Sequence, residues 1–337
     1  MTTQRVDVHH HFVPEFYAQA LQAKGGDPSG WVTPDWSLEK DLSFNDQHRI
    51  SFAFLTITAP GPTILPLAEQ VGFCQQANKT AAEIRAAQPA RYGFFASIPS
   101  LLDPESAHKE IIHALDELQA DGIILYTRYG SDNHYLGHSD FRATWDLLNK
   151  RGAIVFIHPT HPVDTQWASP SLPQPIIDYP HETTRTAVDL IVSGIMHDYT
   201  DLKIILSHAG GTLPYLALRP ATVLPYLPSP TAPVPAEGQS GRDLTNQFME
   251  DAKRFYFDTA LSAGSHTLSL LREFAKPDHV LFGSDFPYAP TPAIADMNAR
   301  LDSYGAEHEA FVQSIGSGAA LKLFPRLSKV LSNDHHA

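Results

Sequence analysis

Short apolar runs rich in β-branched and aromatic residues recur along this chain, each followed by a helical-looking stretch. This alternation narrows the possible folds more than any other feature. The runs are Val6–His9, Phe52–Thr56, Tyr92–Ser97, Gly122–Tyr126, Ala153–His158, Lys203–His208, Phe255–Asp258 and His279–Gly283. Amphipathic stretches such as Glu105–Gln119, Phe141–Arg151 and Thr183–Tyr199 lie between them. A strand that is apolar on both faces belongs in a sheet covered on both sides. Eight such strands alternating with helices predict an α/β fold, a single (β/α)8 barrel of the TIM type spanning residues 1–337 as one domain. The doubly wound open sheet competes with it, but no Gly-rich phosphate turn follows the first strand.

Two segments exceed what a minimal barrel needs, and both are expected as insertions over the C-terminal face. Phe12 to Asn45 carries Gly25-Gly26-Asp27-Pro28-Ser29-Gly30-Trp31, and Pro220 to Arg242 holds six prolines within Pro220–Pro235. The second composition resists helix and sheet alike. The formal charge of −13 argues against a nucleic-acid or anionic-membrane surface. Cys74 stands alone, so neither an internal disulfide nor a Cys-rich metal site is available. No apolar run approaches the roughly 20 residues that span a bilayer, and a cytoplasmic protein is expected.

In such barrels, residues at the C-terminal strand ends converge on one site. Strand one ends His9-His10-His11, strand five His158-Pro159, strand six Ser207-His208-Ala209-Gly210-Gly211, and strand eight Ser284-Asp285-Phe286-Pro287-Tyr288. Side chains alternate along a strand, so His9 and His11 share a face and His10 opposes them. Imidazoles and a carboxylate at four of eight strand ends supply the ligand types of a catalytic metal site with an open position. His134, His138, His161 and His181 read instead as surface polar residues on loops.

This arrangement resembles the amidohydrolase superfamily, where an H-x-H on strand one, His on strands five and six and Asp on strand eight surround metal. Two-metal members add a bridging carboxylated Lys or a Glu from strand four; here that strand reads Gly122-Ile123-Ile124-Leu125-Tyr126. The resemblance therefore implies one divalent ion, Zn2+ or Mn2+, held by His9, His11, His158 and Asp285, with His208 off the metal. Asp7-x-His9-x-His11, Pro180-x-Glu182-Thr183-Thr184, Ser207 to Gly211 and Gly283 to Pro287 look like the branch typified by aminocarboxymuconate semialdehyde decarboxylase. Gly25 to Trp31 with Thr33-Pro34-x-Trp36-Ser37 looks most like the 6-methylsalicylate decarboxylases.

That resemblance implies a carboxy-lyase converting an ortho-hydroxybenzoic acid, 6-methylsalicylate, to 3-methylphenol and carbon dioxide. Asp285 and His208 would be the catalytic residues, with Asp285 as the leading proton carrier and His208 as either the alternative acid/base or the group that orients Asp285. A metal-dependent lactonase or amidohydrolase is the alternative, because the same ligands support a metal-activated water. A small aromatic carboxylic acid is the expected partner, with Tyr288, Trp31 and Phe286 as substrate contacts. Arg219 is expected to bind the substrate carboxylate, within the chain or across a homodimer or higher homo-oligomer. An exposed charge before a helix-ending Pro220 is the competing reading of Arg219.

Overall fold

The computed structural model describes residues 4–228 and 237–333. Eight strands form one parallel sheet in sequence order: β1 (Arg5–His11), β2 (Ile50–Thr56), β3 (Tyr92–Ser97), β4 (Gly122–Tyr126), β5 (Ile154–His158), β6 (Lys203–Leu206), β7 (Tyr256–Asp258) and β8 (Val280–Leu281). Each neighbouring pair is parallel. Backbone bonds from Val8 N–H to Phe282 O (3.0 Å), His11 N–H to Phe286 O (2.7 Å) and Asp285 N–H to His9 O (2.8 Å) bring the last strand back to the first. The result is the expected (β/α)8 barrel.

All seven residues of β1 and all five of β4 are buried. This follows from a sheet enclosed by helices outside and by its own side chains inside. Rings fill the interior from the base upward. Phe324 meets Phe54 at 4.3 Å between centroids, Phe54 stacks on Phe95 at 4.9 Å, Phe95 reaches Phe156 at 5.7 Å, and Phe156 lies edge-on beneath His9 at 5.0 Å. Among the described residues no helix is long and apolar enough to cross a membrane.

Pro220 and Pro180 both lie within helices. Pro220 does not end a helix but lies in the first turn of Leu218–Val223, where the N–H it lacks would have no helical partner. A short 3-10 turn, Leu224–Tyr226, follows it, and a capped helix, Gly241–Ala252, closes the insertion. Residues 229–236 of that stretch lie outside the described residues. Pro180 sits inside the helix Gln174–Val192, which begins nine residues before the expected Thr183.

Candidate active site

β1 delivers His9 and His11 to the barrel interior and turns His10 outward, as strand alternation requires. His10 is fully buried between Asp7 (3.0 Å from Nδ1) and Asp41 (3.0 Å from Nε2). Burial opposes its charged form, yet Asp41 and Asp7 outweigh that and lift it to about 10. It is an internal strut behind the site.

His9, His11, His158 and Asp285 each offer a ligand atom, and these atoms all lie within 4.8 Å of one another. Each imidazole is held by its Nδ1. His9 Nδ1 meets Asp258 Oδ2 at 2.7 Å, His11 Nδ1 meets Thr56 Oγ1 at 2.6 Å, and His158 Nδ1 meets Pro159 O at 2.7 Å. The Thr56 hydroxyl donates to His10 O at 3.0 Å, so it accepts from His11. The protons therefore reside on Nδ1 and the Nε2 lone pairs point inward, the usual support for imidazole ligands. His9 Nε2 and His11 Nε2 are buried without a hydrogen-bond partner. Asp285 Oδ1 stands 3.4 Å from the first and 3.3 Å from the second. Buried nitrogens left bare beside a carboxylate fit a divalent cation. Without an ion, burial opposes charge on His9, but Asp258 and Asp285 lift it to about 10, whereas burial pushes His11 to about 4.

His208 and Asp285 both hold left-handed backbone, with φ of 54° and 63°. Non-glycine residues there cost of order 1–3 kcal/mol and cluster at functional sites. The contacts that hold them are visible. His208 N–H donates to Asp258 Oδ1 (3.0 Å), Ala260 N–H to the same oxygen (2.9 Å), and Ala289 N–H to Asp285 O (2.8 Å). His208 Nε2 lies 3.5 Å from Asp285 Oδ2, and its Nδ1 is buried without a partner. Burial disfavours the Asp285 carboxylate, but His9, His11 and His208 hold it well below the usual range.

A cavity opens beside these groups. His158, His208 and Asp285 line it with Trp31, Tyr179 and Tyr288. No lysine or arginine is among its lining residues. Trp31 is fixed by an Nε1–H bond to Tyr288 O (3.0 Å), and the Tyr288 hydroxyl is buried without a partner.

Two expected substrate contacts do not reach this cavity. Phe286 directly follows Asp285, which faces the cavity, so its ring points the other way, stacking on Phe44 at 3.9 Å and packing against His10 behind the site. Arg219 is exposed beside Tyr215 and Leu218, away from the site. Trp36 bonds Asp41 at 2.7 Å, likewise off the cavity. Sequence reading missed Asp258 and Thr56, which orient the imidazoles, and Asp27 and Ser29 on the cavity wall. Asp258 carried a usable signal as the carboxylate at a strand end. Burial raises the Asp27 carboxyl above its ordinary value, and its Oδ1 accepts Ser29 N–H at 2.8 Å.

A parallel eight-stranded barrel whose strand ends gather three imidazoles and an aspartate is the architecture of metal-dependent amidohydrolases. The chain belongs to the amidohydrolase family, which residues 6–326 match. It is 52% identical to 6-methylsalicylic acid decarboxylase of Penicillium expansum, over 97% of this chain and 98% of that one. It is 48% identical to 6-methylsalicylic acid decarboxylase acuB of Aspergillus aculeatus, over 98% of both chains. A dihydroxybenzoic acid decarboxylase from Polaromonas sp., crystallised with manganese and the inhibitor 2-nitroresorcinol, shares the fold. Its TM-score is 0.76 at 23% identity, over 96% of this chain and 97% of that one.

Proposed function

We propose that this chain is a metal-dependent carboxy-lyase that decarboxylates 6-methylsalicylate without an oxidant, giving 3-methylphenol and carbon dioxide. The observation that carries the reading is the meeting of His9, His11, His158 and Asp285 ligand atoms beside a cavity walled by Trp31, Tyr179 and Tyr288. Close identity to two chains named as decarboxylases of this acid supports decarboxylation over lactone or amide hydrolysis.

We assign His9, His11, His158 and Asp285 as ligands of one divalent ion. That ion supplies Lewis acidity to oxygens of the substrate. Zinc suits three imidazole nitrogens, and manganese was found in the Polaromonas relative. The protein's own part is to orient the acid and move one proton. Trp31 and Tyr179 wall the ring, and the Tyr288 hydroxyl, protonated because burial raises it well above its ordinary value, donates to a substrate oxygen. The His208–Asp285 pair holds the proton that is placed on the ring carbon bearing the carboxylate. The carbon–carbon bond then breaks, its electrons restore the ring, and carbon dioxide leaves. With no cation but the metal ion at the cavity, a monocarboxylic phenolic acid suits it better than a dicarboxylate. Any contact of Arg219 with substrate requires a second copy of the chain, as in a homodimer.

The test is conversion of 6-methylsalicylate by metal-loaded protein, with 3-methylphenol followed by chromatography. Product formation abolished by chelator and restored by zinc or manganese is expected. No carbon dioxide release from any of a panel of hydroxybenzoates would refute the assignment, and lactone hydrolysis without decarboxylation would establish the hydrolase.

A further inference from the structure

On the loop joining β4 to the helix Arg142–Lys150, a second set of ligand-type side chains meets at one point. His134 Nε2 lies 3.0 Å from Asp140 Oδ2, and His138 Nδ1, which accepts Asp140 N–H at 3.3 Å and would exchange that bond for an ion, lies 3.5 Å from that same oxygen. On its other edge, His134 Nδ1 meets Asp132 Oδ1 at 2.8 Å. That arrangement repeats the one that orients His9, in which a carboxylate fixes Nδ1–H and leaves Nε2 facing a neighbouring carboxylate. The two imidazole rings lie 3.8 Å apart, and both pack on Phe141, which is fully buried.

The donors sit on a braced loop. Tyr129 N–H donates to His134 O (3.1 Å), Gly137 N–H to Asp189 Oδ2 (2.7 Å), and Trp145 Nε1–H to Leu136 O (2.8 Å). Little chain ordering therefore remains when a ligand binds, and preorganisation of this kind is where affinity is gained. The side chains of His134 and His138 keep 22% and 39% of their exposure, so an entering ion retains water in its remaining positions.

We propose that His134, His138 and Asp140, with Asp132 orienting His134, form a second divalent-cation site that takes a borderline ion such as zinc or cobalt. Two imidazole nitrogens and one carboxylate oxygen are the donor types such ions favour. The site lies outside the reaction cavity and stands whether or not the chain is a decarboxylase.

The full-length chain, stripped of metal and held at about pH 8 so that protons do not compete for imidazole, is titrated with cobalt(II). Bound metal is counted by equilibrium dialysis and visible absorption. Two equivalents per chain are expected. The double variant His134→Gln, His138→Gln should bind one equivalent, with the melting curve of the metal-free protein and turnover per loaded barrel centre unchanged. Asp132→Asn should keep both equivalents but weaken the second by about 10–100-fold. One equivalent in the unaltered chain, or a second that survives the double substitution, overturns the proposal.

Discussion

Replacing Asp258 separates metal affinity from stability, because this one buried carboxylate serves two kinds of partner. Its Oδ2 takes His9 Nδ1–H at 2.7 Å, while Oδ1 takes the backbone N–H groups of His208 and Ala260 at 3.0 and 2.9 Å. Asn can still accept both backbone donors through its carbonyl oxygen, but its NH2 then faces His9. The imidazole must accept there, its proton moves to Nε2, and the ligand lone pair is lost. Loss of such support costs 10–100-fold in metal affinity or activity, and a reversed tautomer belongs at the upper end, about 100-fold or about 2.8 kcal/mol. Asp258→Ala also strands two buried N–H groups at roughly 1–3 kcal/mol each, so it should lower folding stability by roughly 2–6 kcal/mol as well. Competition with a chromophoric chelator reads the affinity, and denaturant melts of metal-free protein read the stability. Unchanged metal affinity in Asp258→Asn would refute the tautomer argument, and equal melts for the Asn and Ala variants would refute the backbone role.

Tyr288→Phe removes a buried hydroxyl that has no partner in the protein. Metal-free stability should hold or rise, while KM for 6-methylsalicylate rises about 5–10-fold, the worth of one hydrogen bond of about 1 kcal/mol. A fall in stability with unchanged KM would count against the substrate contact. Gly30 has φ of 83°, and a Cβ there would overlap the Trp167 indole. Gly30→Ala should therefore cost about 1–2 kcal/mol in thermal or chemical melts and raise KM, because Ser29 and Trp31 shift with it; an unaltered KM would show that the loop does not shape the cavity. Burial, with Arg128 adding to it, holds His161 at about 4 against an ordinary 6.5. Between those values the unfolded chain binds a proton that the folded chain does not, so stability falls as pH drops through that window and levels off below it. Melts across this range should show a shallower decline in His161→Gln, by an amount on the order of 1 kcal/mol.

The barrel was legible because an enclosed parallel strand must be apolar on both faces, and eight such runs leave few topologies. The meeting of four chemically able side chains was legible for a related reason. His9, His11, His158 and Asp285 interrupt apolar sequence where strands end. Phe286 was placed with the substrate as an aromatic near the site, although the alternation that turns His10 outward also turns the residue after Asp285 away. Arg219 was assigned by resemblance, and position along the chain does not say which way a helix face looks. Thr56 bonds from the neighbouring strand and Asp258 from the end of β7, to residues 45 and 249 positions away, so local pattern gives no hint of their partners. Pro220 shows that a proline in a first turn forgoes no helical bond, and Pro180 shows that a long helix can run through a proline at the cost of one.

The rings of Phe324, Phe54, Phe95 and Phe156 have a kinetic consequence as well as a packing one. They make the reaction chamber a cul-de-sac: beneath His9 lies stacked hydrocarbon, so traffic uses the mouth walled by Trp31, Tyr179 and Tyr288. Among the described residues, this mouth is where acid enters, phenol and gas depart, and the hydron for the next cycle arrives. The phenol must clear before the next acid enters, and the label carried into the product is set by how often that opening exchanges with solvent between turnovers.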